Sequence, residues 1–136
     1  MLNVILSVFI GGAMGAMMRE FLMLGVGKLH DGFPLDIFTA NVGAAFLLGW
    51  ISGLHARGRV SNDVNTLVGT GLTGGLSTFS SFVYAVVAVL TSTPRHWPVV
   101  LVYLLLSLSA GFVAVWGGLK LGAARPHRRS GQHAGA

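Results

Sequence analysis

Ten consecutive residues carry the densest chemistry in this chain: Gly74-Gly75-Leu76-Ser77-Thr78-Phe79-Ser80-Ser81-Phe82-Val83. They combine two glycines, four hydroxyls and two phenylalanines three positions apart. They lie inside an uncharged run from Val64 to Pro94, long enough to cross a bilayer. A plain membrane helix has little use for that composition. Glycines loosen a helix, and backbone carbonyls released in hydrocarbon must find partners or line a cavity. The hydroxyls of Ser77, Ser80 and Ser81 supply donors at membrane depth. Phe79 and Phe82 most often signify core packing, but an aromatic ring also has a positive edge. Two such edges beside hydroxyls suit a small anion without offering a charge that traps it. The segment reads as an interrupted membrane helix built around an ion.

Other polar residues fall on apolar stretches. Asn41, in Phe38-Thr39-Ala40-Asn41-Val42-Gly43, brings two donors and an acceptor. It serves either as glue between helices or as a pore-lining amide. Tyr103 and Ser107 are four apart and share one helix face, which Gly111 continues. A lone hydroxyl on a membrane helix usually bonds its own preceding turn, so this stripe gains meaning only from company. Arg19 interrupts the first apolar run. A cation at that depth pairs locally with Glu20, snorkels to the interface, or faces water, a partner or a pathway.

The elements that must position these residues follow from composition. The chain has 136 residues, 53% hydrophobic and only 10% charged, with mean hydropathy +0.73. Soluble domains carry about 25% charged residues, so this is an integral membrane protein. Four spans are expected: Met1–Met18 continuing past Arg19 and Glu20 into Phe21–Gly27, then Ile37–Leu54, Val64–Pro94 and Trp97–Leu119. The first lacks the basic start and cleavage pattern of a signal peptide. The linkers Lys28–Asp36, His55–Asp63 and Pro94–His96 are short and polar. One membrane domain over residues 1–122 and a basic polar tail over 123–136, expected to be disordered, account for the chain. The tail holds Arg125, Arg128 and Arg129, much of the formal net charge of +5, so nucleic acid is not an expected partner and the lipid bilayer is.

Gly69-Thr70-Gly71-Leu72-Thr73-Gly74 matches a dinucleotide fingerprint on paper. It follows no strand and has no acidic residue about 20 positions on, so the match is set aside. The pairs Gly11–Gly15, Gly49–Gly53 and Gly71–Gly75 instead predict close helix packing. Four short helices bury little on their own, so a homo-oligomer is expected.

These residues resemble the Fluc, or CrcB, fluoride channels. The stretch from Gly74 to Phe82 is similar to that family's third-helix signature. Gly11-Gly12-Ala13-Met14-Gly15-Ala16 followed by Arg19 is similar to its first helix, and Thr39-Ala40-Asn41-Val42-Gly43 through Gly49 to its second. The resemblance covers roughly Met1 to Gly122. It implies an all-α bundle of four transmembrane helices, the third broken near Gly74–Ser77, in an antiparallel, dual-topology dimer with two fluoride pores. It implies a structural, untransported Na+ held by main-chain carbonyls of Gly74 and Ser77 from both subunits. Phe79 and Phe82 match the pore ring-edge residues, Asn41 the pore amide, Tyr103 and Ser107 the fourth-helix hydroxyls, and Arg19 the first-helix arginine, a vestibule or structural charge.

Two departures stand out. Ala85 replaces a Glu that many members carry, so no carboxylate role falls there. Arg57, Arg59, Lys120, Arg125, Arg128 and Arg129 share one side against Lys28 and Arg95 on the other. That imbalance suits a fixed orientation, termini inside, and a paralogous partner of opposite orientation. Without the tail it is three against two, which suits a homodimer.

Fluoride is small and strongly hydrated, so a pore must replace its water with donors. Asn41, Ser80, Ser81, Tyr103 and Ser107 supply them in steps weak enough for release. No acid–base pair, metal triad or nucleophile constellation is visible, and an enzyme is not expected. The expected function is passive fluoride efflux across the cell (inner) membrane, lowering cytoplasmic fluoride. The alternatives are a small four-helix dual-topology multidrug exporter, for which Glu20 is the one coupling carboxylate in view, and a structural helper of membrane assembly.

Overall fold

The computed structural model describes residues 1–25, 33–92 and 97–124. The charges at Lys28, Arg95, Arg125, Arg128 and Arg129, and the tail beyond Ala124, lie outside the described residues. Four helical stretches are long and apolar enough to cross a membrane. The first, second and fourth are unbroken and keep their backbone hydrogen bonds to themselves, as hydrocarbon requires.

The first, α1 (Leu2–Gly25), runs unbroken through Arg19 and Glu20, because two polar side chains do not interrupt a backbone ladder. The second, α2 (Leu35–Ala56), starts two residues before the expected apolar run and takes in Asp36, whose Oδ1 accepts the Ile37 N–H at 2.9 Å. It ends in a tight turn where Gly58 adopts φ +66° and its N–H reaches the His55 carbonyl at 2.8 Å. Ser61 then caps α3 (Asn62–Val64) by accepting the Val64 N–H.

The third span is composite. After α3 come a π-helix (Asn65–Leu72), α4 (Thr73–Leu76), a break at Ser77 and Thr78, and α5 (Phe79–Ser92). Ser77 is extended, with ψ 142°. The break therefore falls just after the Gly74-Gly75 pair, which itself stays helical. The fourth span, α6 (Trp97–Ala123), is continuous.

Alternate spans pair in parallel. Gly11 and Gly15 of α1 lie against Leu67, Gly71, Leu72 and Leu76, and Gly75 lies against Gly12. Gly49 and Gly53 of α2 lie against Val115, Leu119 and Gly122, while Gly118 and Gly122 of α6 lie against Phe46, Trp50 and Leu54. A Cβ on Gly11, Gly15, Gly75, Gly49, Gly53, Gly118 or Gly122 would collide with backbone of the neighbouring helix. All three expected small-residue pairs are thus at helix contacts, and Gly118–Gly122 adds a fourth. Parallel pairing puts the start of α1 at the same membrane face as the ends of α2 and α6, together with Arg57, Arg59 and Lys120.

Candidate functional site

The break is held open by hydrogen bonds that redirect its backbone. In a continuous helix the Thr78 N–H would bond the Gly74 carbonyl. Here it donates to Asn41 Oδ1 of α2 at 3.0 Å. Ser77 Oγ donates to the same oxygen, also at 3.0 Å. A backbone N–H can only donate, so the carboxamide orientation is fixed, with its NH2 left for other partners.

Thr78 then starts the next helix. Its Oγ1 accepts the Ser81 N–H at 3.3 Å, an N-cap contact, and lies 3.0 Å from Ser80 Oγ. The Ser81 N–H is the one that would otherwise serve the Ser77 carbonyl. Arg19 Nη1 donates to the carbonyl of Gly75 at 3.3 Å. The consequence is selective. Gly75 has an arginine for a partner, while the helical donors of the Gly74 and Ser77 carbonyls point elsewhere. Two released carbonyls three residues apart fit a small hard monovalent cation, without the acidic ligands that Ca2+ recruits.

Arg19 is the point at which the alternatives of the sequence narrow. Among the described residues its contact is the Gly75 carbonyl, 56 positions away, rather than the neighbouring Glu20. Thr73, one turn before the break, is buried and returns its own hydroxyl to the Gly69 carbonyl.

Beside the break lies an open groove of about 450 Å³, lined among others by Asn41, Ala45, Thr70, Gly74 and Ser77. Thr70, Gly74, Ser77 and Ser80 are exposed, and Phe79 is 79% exposed. Hydrocarbon cannot satisfy such hydroxyls and carbonyls.

An aromatic series leads away from the groove. The Phe79 and Phe82 rings lie 6.2 Å apart and nearly stacked at 27°. Phe82 meets Tyr103 of α6 at 5.2 Å. Tyr103 is 2% exposed, packed with Ile37 and Ala85. The small Ala85 therefore sits directly against Tyr103, and no carboxylate enters from that position. Phe33 closes the other side of Tyr103, edge-on at 5.4 Å and 83°. Among the described residues, the Tyr103 hydroxyl and Ser107 Oγ are both buried without a hydrogen-bond partner. Buried hydroxyls are ordinarily paired, so two unpaired ones on a single face are an exception that calls for a ligand or water.

The structure thus brings Arg19, Asn41, Gly74 and Ser77 to the break, with Ser80, Ser81 and Phe79 at the start of α5. Phe82, Tyr103 and Ser107 form a connected series beyond it. Sequence reasoning counted Thr78 only among the four hydroxyl donors, whereas its Oγ1 accepts as the N-cap of α5, a role that Thr ahead of an apolar run commonly takes. It also left Phe33 and Asp36 in a linker, because neither follows from an apolar run.

Known proteins bear on this geometry. A family model described as CrcB-like protein, Camphor Resistance (CrcB), matches residues 6–119. Fluoride-specific ion channel FluC 1 of Brucella abortus biovar 1 (strain 9-941) is 52% identical over 122 residues, 90% of this chain and 45% of the relative. The chain therefore spans less than half the length of that relative. Fluoride-specific ion channel FluC 3 of Yersinia pseudotuberculosis serotype I (strain IP32953) is 51% identical over 120 residues, 88% of this chain and 89% of the relative. Fluoride-specific ion channel FluC of Paraburkholderia xenovorans (strain LB400) is 40% identical over 94 residues. A match running from the first span to the last, with the broken third helix at its centre, places this chain in the CrcB family.

Proposed function

We propose that this chain conducts fluoride passively across the cell (inner) membrane, as a dimer of two oppositely inserted copies. The observation that carries the reading is the pair of buried hydroxyls on Tyr103 and Ser107, unpartnered among the described residues. Donors kept dry and unspent at membrane depth are what a stripped small anion needs in place of its water. The names of the relatives support fluoride as that anion.

The residues divide the work. The Asn41 NH2 receives the ion at the groove, with Ser80 and Ser81 beside it. The edges of Phe79 and Phe82 face it without a full charge. Tyr103 and Ser107 complete its shell further on. Arg19 acts as a structural charge, holding the Gly75 carbonyl beside the break. The carbonyls of Gly74 and Ser77, with their symmetry mates, hold a structural Na+ that locks the interface. The exposed row Thr70, Gly74 and Ser77 and the open groove favour a second copy as its cover. A paralogue of opposite orientation is the other candidate for that place. No observation favours the multidrug exporter.

The test is purified protein alone in liposomes loaded with fluoride and given a K+ shunt. Rapid fluoride release with chloride retained is expected. Equal chloride and fluoride rates overturn the channel reading, and flux that needs a proton gradient points to the exporter. Replacing Na+ should silence flux or weaken the dimer, with no 22Na+ crossing alongside fluoride.

A further inference from the structure

Asp36 is a carboxylate in an unusual place. It is 5% exposed, the second residue of α2. Acidic side chains are almost never buried to that extent without a partner. One oxygen has a partner in the Ile37 N–H at 2.9 Å. Its sequence neighbours fix its surroundings. Phe33, three residues before, packs edge-on against Tyr103 at 5.4 Å. Ile37, the next residue, is buried in one cluster with Tyr103 and Ala85, against which Phe82 packs. Asp36 is therefore bracketed, within one helical turn, by two residues that touch the aromatic end of the pathway.

Two features there attract an anion. Among the described residues, the Tyr103 and Ser107 hydroxyls have no acceptor. The N-terminus of α2 carries a partial positive charge of about half a unit from its aligned peptide dipoles. A carboxylate seated on that terminus opposes both, and like charges at close quarters in a protein repel far more strongly than in water.

We propose that Asp36 is a specificity- and rate-setting charge for anion passage. It weakens the hold of the Tyr103 end on a small anion, so that the ion leaves rather than lodges among donors it would otherwise saturate. The inference rests on the fluoride-conduction reading and adds to it a residue on α2 that acts through charge rather than contact.

The experiment measures fluoride release from liposomes against fluoride concentration for the wild type, Asp36→Asn and Asp36→Glu. Asn keeps an acceptor for the Ile37 N–H and removes the charge. The half-saturating fluoride concentration should fall at least threefold in Asp36→Asn, and the rate at low fluoride should rise by a similar factor. Asp36→Glu keeps the charge and should shift less. Asp36→Ser, also a good capping residue, should behave as Asn does and serves if Asn folds poorly. A role confined to capping would change thermal stability and leave half-saturation alone. Unchanged half-saturation in both neutral variants, abolished flux in a folded neutral variant, or an equal shift in Asp36→Glu overturns the proposal. If wild-type liposomes release no fluoride, the conduction reading fails and takes this one with it. If the wild type conducts and the neutral variants match it, only this proposal fails.

Discussion

The two parallel helix pairs of this protein are built from the same material and do different things. In the α2–α6 pair, Gly49 and Gly53 face Gly118 and Gly122, and both helices run unbroken. In the pair formed by α1 and the third span, Gly11, Gly12 and Gly15 face Gly71 and Gly75, yet the partner of α1 is π-helical and then broken. Glycine seams alone therefore do not break a helix. They bring backbones together, and the outcome depends on the polar groups within reach. Along α2–α6 the glycine contacts are backbone against backbone. Beside the third span, Asn41 and Arg19 compete for its backbone groups, and Thr78 offers a new start.

The largest expected effect tests whether the two seams are separable. Gly75→Val and Gly118→Val each drive a side chain into the neighbouring helix backbone. Overpacking of this kind costs about 1–3 kcal/mol, and occasionally more, so both should melt early in detergent. Gly75→Val should also abolish fluoride flux in whatever folded protein remains. Gly118→Val should leave the flux per folded protein nearly intact. Loss of flux in both would erase the distinction drawn between the pairs.

Asn41 tests what holds the break. Asn41→Ala removes the acceptor for both Ser77 and Thr78 and leaves a backbone N–H unpaired, at about 1–3 kcal/mol. The Thr78 N–H should then return to the Gly74 carbonyl, and flux should fall more than about tenfold, since each 1.4 kcal/mol is a factor of ten. Asn41→Asp keeps the acceptor and loses the NH2. It should preserve the fold, read by circular dichroism and dimer retention, while still reducing flux. Normal conduction by Asn41→Asp would remove the amide from the pathway.

Phe82→Ile sharpens the comparison at the aromatic series, where the third span meets α6. A roughly volume-matched apolar swap costs under about 1.5 kcal/mol, so the size-exclusion profile should match the wild type while fluoride flux drops several-fold. Phe79→Ile, at a position 79% exposed in the single chain, should be milder for folding and similar for flux. Two normally conducting variants would reduce both rings to packing.

The smallest effect is expected at the cap. Thr78→Val deletes the acceptor for the Ser81 N–H and should cost about 1 kcal/mol, while Thr78→Ser should cost much less. Thermal melts of the two variants side by side read the difference. Equal melting temperatures would mean that α5 starts without its cap.

The sequence by itself determined the spans, because hydrocarbon imposes one length and one composition on anything that crosses it. It located the break to within a few residues, since Gly74-Gly75 followed by Ser77 and Thr78 has no place in a plain helix. It also picked out Tyr103 and Ser107 as one face, because i, i+4 spacing is local geometry. Only the tertiary structure decided which backbone groups the break releases. The Thr78 N–H goes to Asn41, 37 positions away, and the Gly75 carbonyl goes to Arg19, 56 positions away. No local pattern encodes a partner at that separation. Gly75, one of the pair that looked like the cause of the break, serves contact with α1, because a Cβ there has no room beside Gly12, whereas a Cβ at Gly74 would meet nothing. Asp36 is buried for the same nonlocal reason. Burial depends on what packs over a residue, and the contacts beside this carboxylate, Phe33 and Ile37 against Tyr103, form only when α2 and α6 lie side by side.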